Sequence, residues 1–200
     1  MVDHEKQSIE VYNKLAGDYA NTFDGRFTRS FKAELVSNVI LRPNDAVLDV
    51  ACGTGELLSR LNQKCPIRGV GIDIAPEMIK VAQAQTVGFE FIVSSCAPLP
   101  FDAASFDVIT VSAAFHHFPE PRQFAREAFR VLKQGGRLYV AELYLPIVLR
   151  QIANLVIPFY RAGDVKIYHP RELVTIFGAA GFSGISIQKT EKIQLLSAVK

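Results

Sequence analysis

The 200-residue sequence has little cysteine, and its three cysteines, Cys52, Cys65 and Cys96, form no CxxC pair and no pattern with nearby histidines. This spacing excludes a disulfide framework and a zinc site as the basis of the fold, and it favours a reducing compartment. An excess of one charge is also missing, because 22 Lys and Arg face 20 Asp and Glu, and a net charge of +2 offers no basic field to nucleic acid. No apolar run is long enough to span a bilayer, and the charged N-terminus differs from a signal peptide. We therefore expect a cytoplasmic protein with no metal, no nucleic-acid partner and no stable membrane insertion.

One domain is expected over residues 1–200, because the chain shows no repeat, no linker and no change of composition. Hydrophobic residues make up 49% and charged residues 21%, which suits a chain with a buried core. Helical spacing of apolar residues predicts an N-terminal helical cover over residues 1–42, with two helices separated by the turn residues Asp24 and Gly25. Residues 145–168 are expected to form an apolar insertion near the site where a substrate would bind. For this insertion a helix packed on the domain, a lid over an apolar substrate and a membrane-surface helix are all open.

Between these segments, short apolar runs rich in β-branched residues alternate with amphipathic helices, which favours an open and mostly parallel α/β sheet. Strands are predicted at residues 46–50, 70–74, 89–93, 106–111, 137–143, 185–190 and 193–199. Helices are predicted after the glycine turn that follows the first strand, and from Pro76, Pro121 and Arg171. The helix that begins at Pro121 is expected to end at Gly135 and Gly136, since glycine commonly caps a helix C-terminus.

The clearest chemical signal is VLDVACGTG at residues 47–55, a buried strand that runs into a glycine turn and a helix. Glycines there let the backbone turn sharply and approach a ligand closely. Asp73 follows at the end of the next predicted strand, where a carboxylate can accept both hydroxyls of an adenosine ribose. A dinucleotide fingerprint would have a third glycine where Leu58 stands, and a GxxxxGK[ST] loop is missing. The pattern therefore predicts an adenosine ligand and disfavours pyrophosphate binding.

Four stretches in order extend this signal: VLDVACGTG, GIDIAPEMI, APLPFDAASFDVITVSAAFHHFPEP and FRVLKQGGRLYVAEL. Over residues 45–145 they resemble the successive motifs of class I S-adenosylmethionine-dependent methyltransferases, with the small-molecule and quinone-type enzymes as the most similar group. The resemblance implies an α/β fold with an open, mostly parallel, seven-stranded Rossmann-like sheet, helices on both faces and an antiparallel last strand. It also implies S-adenosyl-L-methionine as cofactor and S-adenosyl-L-homocysteine as product.

Positions that match the family's motifs imply where the cofactor would be held. Asp49, Gly53 and Gly55 match the motif that lines its methionine part, and Asp73 matches the acid that holds the ribose. The full set implied for cofactor binding is Asp49, Ala51, Cys52, Gly53, Gly55, Asp73, Ile74, Met78, Ser95, Cys96, Ala97, Ser112, Ala113 and Tyr19. Three aromatic residues of the N-terminal cover are candidates to close over the cofactor, with core packing expected for at least one of them: Tyr12, Tyr19 and Phe23.

Three positions depart from the family pattern. Ala51 replaces the first glycine of the turn, which we expect to be tolerated if the backbone there is not left-handed. Ser95 replaces the acid that often holds the adenine amino group, so a serine or a backbone carbonyl would have to take its place. Ala75 replaces a helix-capping serine, which should destabilise the following helix by about 1 kcal/mol without removing it.

Methyl transfer from a sulfonium is an in-line displacement, so holding the nucleophile against the methyl carbon can supply most of the catalysis. A base is needed only if the acceptor is a hydroxyl or an acidic carbon. The candidates are His117 and His116, which follow the fourth strand, because ligands of this fold class meet the carboxyl ends of strands. The resemblance adds Glu142, which matches a carboxylate at the end of the fifth strand that accompanies a similar histidine pair in some methyltransferases. We expect His117 to be the base and His116 the second candidate, with Glu142 orienting the imidazole or acting directly. Four further residues are candidates to line the acceptor pocket: Tyr144, Tyr160, Tyr168 and His169. Tyr168 and His169 stand just before Pro170 and also fit a role at the start of a helix.

The sequence therefore predicts an enzyme that transfers a methyl group from S-adenosylmethionine to an oxygen, nitrogen or carbon of a small molecule, such as an apolar quinone precursor or a lipid headgroup. A monomer or homodimer is expected. The tetrapeptide SAAF after the fourth strand, in place of an NPPY-type sequence, disfavours methylation of adenine or glutamine amino groups. Two alternatives stay open: a non-catalytic protein that binds S-adenosylmethionine or another adenosine ligand, and an NAD-dependent oxidoreductase.

Overall fold

The structure, a computed structural model, describes residues 4–159 and 163–200. The strands are β1 (Ala46–Val50), β2 (Arg68–Asp73), β3 (Glu90–Val93), β4 (Phe106–Ser112), β5 (Leu132–Leu143), β6 (Ser183–Lys189) and β7 (Ile193–Val199). The α-helices are α1 (His4–Leu15), α2 (Phe23–Asn38), α3 (Glu56–Lys64), α4 (Pro76–Gln85), α5 (Pro121–Val131), α6 (Ile147–Val156) and α7 (Pro170–Ala179). Short 3₁₀ helices cover Ala16–Asn21, Phe115–His117 and Ile157–Phe159.

The seven strands form one sheet in the order β3-β2-β1-β4-β5-β7-β6. The pairs among β1 to β5 are parallel, whereas β7 is antiparallel to both β5 and β6. The predicted mostly parallel, seven-stranded sheet with an antiparallel last strand is therefore confirmed. The strand order reverses between β1 and β4, and in such sheets ligands bind at the carboxyl ends of the strands beside this reversal.

Helices cover both faces of the sheet, as predicted. Val47 and Leu48 are neighbours in β1 but pack in different clusters, because successive side chains of a strand point to opposite faces. Val47 packs in the cluster that contains Phe31 of α2 and Leu58 of α3, and Leu48 packs in the cluster that contains Phe124 of α5. Full burial of each such side chain stabilises the fold by about 1.5–3 kcal/mol.

The predicted turn at Asp24 and Gly25 is wrong, because both residues lie in the first turn of α2. Thr22 caps this helix, with its hydroxyl oxygen accepting the N–H of Gly25 at 3.0 Å. A Cβ atom at Gly25 would lie 1.8 Å from the carbonyl oxygen of Tyr19, so glycine serves a close approach of the backbone. Position 25 does require glycine, but the reason is the close packing of the backbone against Tyr19 and not a break between two helices.

The predicted end of α5 at Gly135 and Gly136 is also wrong, because the helix ends at Val131 and β5 begins at Leu132. Leu132 already pairs with β4, and the register between the two strands then shifts before Arg137. A Cβ atom at Gly136 would lie 2.8 Å from the carbonyl oxygen of Lys133. The glycine pair therefore lies inside β5, where it accommodates the shift in register against β4.

Helix α6 and the following 3₁₀ turn account for the middle of the predicted apolar insertion. No residue of α6 is buried. Exposed fractions of the apolar side chains are Ile147 59%, Val148 62%, Leu149 55%, Ile152 54%, Leu155 73% and Phe159 84%. The position of α6 is held by Asn154, whose side chain makes hydrogen bonds to the backbone N–H and carbonyl of Ile167 at 2.8 and 3.1 Å. This exposure does not support a helix packed on the domain, and none of the described helices is long and apolar enough to cross a membrane.

Candidate active site

The connection from β1 to α3 is a turn in which three residues have positive φ angles: Ala51 at 56°, Gly53 at 54° and Gly55 at 76°. Glycine adopts this left-handed conformation without a steric penalty. At Gly55 a Cβ atom would also lie 2.7 Å from the ring of Phe91. The condition under which Ala51 was expected to be tolerated is not met, because the turn imposes the left-handed conformation, and alanine is strained there by roughly 1–2 kcal/mol.

Asp73 ends β2 beside this turn, as predicted. Its Oδ2 accepts the backbone N–H of Gly53 at 2.8 Å, and its Oδ1 accepts that of Ala75 at 2.9 Å. Burial raises the pKa of Asp73, and the hydrogen bonds from Ala75 and Gly53 act in the opposite direction. A carboxylate has about four acceptor positions, so the two oxygens keep capacity for the two hydroxyls of a ribose. Ala75 offers α4 no capping side chain, in agreement with the sequence.

A cavity of about 750 Å³, including the space that opens to solvent, lies at these strand ends. Its lining includes the following residues predicted to bind the cofactor: Tyr19, Ala51, Gly53, Asp73, Ile74, Met78, Cys96, Ser112 and Ala113. Among the catalytic candidates, His117 lines the cavity. Tyr12 and Glu5 of α1 line it as well, so the N-terminal helix forms part of its wall. Phe23 is 77% exposed and stacks on Phe27, away from the cavity.

The other residues predicted to bind the cofactor lie outside the cavity wall: Asp49, Cys52, Gly55, Ser95 and Ala97. Burial raises the pKa of Asp49 to about 7, although its Oδ1 accepts a hydrogen bond from the Thr110 hydroxyl at 2.7 Å. Burial also raises the pKa of Cys52 well above its ordinary value and that of Cys96 to about 12. Both thiols are therefore protonated near neutral pH, which disfavours a nucleophilic role.

The buried carboxylate of Glu142 pairs with the partly buried His116, beside His117. The Nδ1 atom of His116 lies 2.8 Å from Oε2 of Glu142, whose Oε1 accepts the backbone N–H of Phe115 at 2.6 Å. Burial alone would lower the pKa of His116, but Glu142 reverses the sign and the pKa is raised. Burial alone would raise the pKa of Glu142, but His116 reverses that sign too and the pKa is lowered. Both shifts favour an imidazolium paired with a carboxylate.

His117 lies next to this charged pair and is itself neutral near pH 7. Burial first, and then the charge of His116, lower the pKa of His117 to about 4. Its Nε2 lies 3.0 Å from the hydroxyl of Tyr12, and the two rings are perpendicular with centroids 5.6 Å apart. Burial raises the pKa of Tyr12 well above its ordinary value, so this hydroxyl keeps its proton. We assign the Tyr12 hydroxyl as donor and the Nε2 lone pair as acceptor.

Asp164 was missed by the sequence analysis and lies against both histidines. Its Oδ1 is 3.4 Å from Nε2 of His116 and 3.8 Å from Nδ1 of His117. The backbone helps to place it, because the N–H of Val165 donates to the carbonyl of His116 at 2.7 Å. Two imidazoles and a carboxylate with ligand atoms within 4.8 Å of one another could hold a zinc or iron ion. Charge pairing around His116 explains the same arrangement, so the expectation of no metal stays a prediction.

Glu5 was also missed, and it lies at the point where the family's acid is lacking. The hydroxyl of Ser95 donates to Oε1 of Glu5 at 2.8 Å. Ser95 itself is not part of the cavity wall, whereas Glu5 is. Neither Glu5 nor Asp164 had a sequence signal, since both lie in segments outside the resemblance.

Three of the four candidates for the acceptor pocket lie outside the cavity wall. Tyr168 is 6% exposed, packs on Phe115 with centroids 5.1 Å apart, and has its pKa raised to about 12 by burial. His169 caps α7 through Nδ1, as its position before Pro170 suggested. Tyr144 lies outside the cavity wall, and Tyr160 is outside the described residues.

Comparison with known proteins agrees with this geometry. A family described as a methyltransferase domain matches residues 48–140. The chain is 39% identical to the demethylmenaquinone methyltransferase of Thermotoga maritima over an alignment of 127 positions that covers 62% of this chain and 55% of that protein. It is 33% identical to the demethylmenaquinone methyltransferase of Thermus thermophilus over an alignment of 162 positions that covers 68% of this chain and 74% of that protein. The chain thus spans about half of the first relative and three quarters of the second.

A solved structure has the same fold over nearly the whole chain. It is a chain of the complex between the Haloferax volcanii Trm112 methyltransferase activator and a methyltransferase, with a TM-score of 0.80 and 23% identity. The match covers 94% of this chain and 96% of that chain. At this identity the likeness shows the fold, while the sequence relatives show the family. The glycine turn, Asp73 and these relatives together show that the chain belongs to the class I S-adenosylmethionine-dependent methyltransferases, in the group that includes the quinone methyltransferases.

Proposed function

We propose that this chain transfers a methyl group from S-adenosylmethionine to a small apolar acceptor of the quinone type, in the cytoplasm and as a monomer or homodimer. The observation that carries the proposal is the neutral imidazole of His117 in the same cavity as the glycine turn and Asp73. When bound, the cofactor supplies a methyl group made electrophilic by its sulfonium. The chain then has to position the acceptor and receive one proton.

His117 is positioned to receive that proton, and because its pKa of about 4 makes it a weak base, the nearby Asp164 carboxylate has to help hold the proton there. His117 is uncharged near neutral pH, and its Nε2 already accepts a hydrogen bond from a phenolic hydroxyl, that of Tyr12. A hydroxyl or hydroquinone acceptor would use the same nitrogen by displacing the Tyr12 hydroxyl from it. In the transfer the acceptor would exchange one proton for the methyl group, and His117 would hold that proton. The positive charge of His116 keeps His117 neutral beforehand, while the nearby carboxylate of Asp164 favours the protonated state afterwards.

The cavity wall favours an apolar acceptor. Apolar side chains make up much of it: Val50, Ile72, Ile74, Met78, Ala114 and Phe118. Both sequence relatives described above are demethylmenaquinone methyltransferases, which supports a quinone-type molecule. A net charge of +2 fits a small molecule better than nucleic acid. A lipid headgroup is the second candidate acceptor.

The test is methyl transfer with isotope-labelled S-adenosylmethionine and three acceptor pools: a reduced demethylated naphthoquinone, phosphoethanolamine and a metabolite extract. We expect label in the reduced naphthoquinone, identified by mass. Label in phosphoethanolamine alone would move the acceptor to the headgroup class. Calorimetry that shows S-adenosylhomocysteine binding with no label in any pool would favour the non-catalytic alternative. Binding of NAD in place of S-adenosylhomocysteine would favour the oxidoreductase, although Leu58 is fully buried where a third glycine would stand.

Substitution of His117 separates chemistry from binding. His117→Gln should lower the transfer rate about 10²- to 10⁴-fold, the usual contribution of a general base, with little change in S-adenosylhomocysteine affinity. His169→Gln is the matched control, since His169 lies at the start of α7 outside the cavity. A normal rate in the His117 variant would show that the acceptor needs no base from this residue.

A further inference from the structure

The carboxylate of Glu5 faces the same cavity as Asp73 and comes from a helix outside the sheet. Glu5 lines the cavity together with Ile74 and Cys96. Ser94 and Cys96 flank Ser95, whose hydroxyl donates to Oε1 of Glu5 at 2.8 Å. The backbone N–H of Ser94 in turn donates to the carbonyl of Asp73 at 2.9 Å. Glu5 therefore lies at the end of β3, the strand next to the one that ends at Asp73.

We infer that Glu5 accepts a hydrogen bond from the 6-amino group of the cofactor's adenine and thereby selects adenine over other purines. The inference rests on the proposed binding of S-adenosylmethionine in this cavity. With the ribose at Asp73 and the methionine part along the glycine turn, the base has to lie on the remaining side, beside Ile74 and Cys96. The 6-amino group of adenine is a donor, and an ionised carboxylate only accepts, so the two groups are complementary.

Several contacts hold this carboxylate in place. Ser95 occupies Oε1, and among the described residues no hydrogen-bond donor is assigned to Oε2. Helix α1 is docked at two further points, where Tyr12 meets His117 at 3.0 Å and Asn13 Oδ1 accepts the N–H of Glu77 at 3.0 Å. A fixed carboxylate with one oxygen unassigned is the arrangement expected for a group that reads a donor on a ligand.

Glu5 thereby replaces an acid that the chain lacks at position 95. The family pattern would place a carboxylate there directly, whereas this chain has a serine that orients a carboxylate from another segment. The negative charge of Glu5 also reaches the cavity wall, because after burial it is the next cause that raises the pKa of Cys96. A purely structural role, in which Glu5 only holds Ser95, predicts a different result, since such a role is indifferent to the base of the ligand.

The test compares two ligands by calorimetry: S-adenosyl-L-homocysteine and S-inosyl-L-homocysteine, in which an oxygen replaces the 6-amino group. The natural chain should prefer the adenosyl ligand by roughly 10- to 100-fold, the value of a hydrogen bond to a charged group. Glu5→Gln should lose most of this preference, because an amide can also donate to the oxygen. Glu10→Gln, an exposed substitution on the same helix, should keep it.

The outcomes distinguish this inference from the proposed function. Failure of the natural chain to bind either ligand would overturn the proposed cofactor, and with it the inference. Binding with an unchanged adenine preference in Glu5→Gln would overturn the inference alone, and so would an equal loss of affinity for both ligands, which indicates a structural role. If Glu5→Gln does not fold, Ser95→Ala decides: the freed carboxylate should keep part of the preference, and a full preference would count against the inference.

Discussion

Replacement of Glu142 by glutamine tests whether the pair with His116 is charged. Glu142 accepts two hydrogen bonds, from the N–H of Phe115 and from Nδ1 of His116. Glutamine has the same shape but only one accepting oxygen, so it can keep the Phe115 bond only by turning its amino group towards His116. The imidazole must then present an unprotonated nitrogen and lose its charge. Because a hydrogen bond between charged groups contributes about 1.5–3 kcal/mol, we expect a loss of about 2 kcal/mol in the free energy of unfolding.

The sign of the pH dependence follows from the two shifts. The pKa of His116 is raised above 6.5, so its contribution is complete below pH 6.5 and is lost as the pH rises through the folded-state pKa. The pKa of Glu142 is lowered below 4.5, so its contribution is complete above pH 4.5 and is lost as the pH falls through the folded-state pKa. The difference between the natural chain and Glu142→Gln should therefore be largest between pH 4.5 and 6.5.

Urea unfolding from about pH 5 to about pH 9 measures this difference. In a separate thermal unfolding experiment near pH 5.5, the Tm of the variant should be about 4–8 °C lower, since 1 kcal/mol corresponds to about 2–4 °C at this chain length. Glu77→Gln is the control, because its pair with Lys80 is exposed and should be worth less than about 1 kcal/mol. A loss in Glu142→Gln that is the same at every pH would refute a charged pair.

Three further predictions concern the cofactor site, the strained turn at Ala51 and the exposed helix α6. Asp73→Asn should weaken S-adenosylhomocysteine binding roughly 10- to 100-fold in calorimetry, and unchanged affinity would show that the ribose lies elsewhere. Ala51→Gly should raise the free energy of unfolding by up to about 1 kcal/mol, as relief of left-handed strain exceeds the added chain entropy, whereas Ala84→Gly on the exposed side of α4 should lower it by about 0.5–1 kcal/mol. The same sign in both would contradict the strain at position 51. Leu58→Ala should destabilise the chain by about 2–5 kcal/mol and Ile152→Ala by less than about 0.5 kcal/mol, and a comparable loss in both would show that α6 is covered.

The sheet could be predicted because its signals are local. Unbroken β-branched runs mark strands that are buried on both faces, and the prolines that begin helices mark the crossovers. The errors came from glycines, whose meaning depends on distant neighbours. Gly25 was interpreted as a turn and Gly136 as a helix end, yet both avoid a backbone oxygen that only the folded chain brings close. A glycine in the sequence does not by itself show whether it caps a helix or allows two backbone segments to approach closely.

The cofactor half of the site was predictable for a related reason. Asp73 and the glycine turn lie on adjacent parallel strands, in which Val50 pairs with Ile72, so twenty residues of sequence already determine their contact. Asp164 lies within the predicted apolar insertion, near its C-terminal end, and reaches both histidines from there. Its position depends on the backbone contact between Val165 and His116 and has no counterpart in any local pattern.

At position 95 the chain departs from the family motif, and another segment of the chain supplies the carboxylate that is missing there. Taken alone, Ser95 indicates a lost contact to the adenine. In the folded chain its hydroxyl contacts a carboxylate 90 residues earlier, on a helix in which Ser8 is the only buried residue. Helix α1 buries little of itself, and the polar contacts of Glu5 and Tyr12 add to the packing of Tyr12 on Ala75 and Met78, while both residues face the cavity. A helix attached in this way can change in sequence without disturbing the sheet, so ligand selectivity can vary while the glycine turn and Asp73 stay the same.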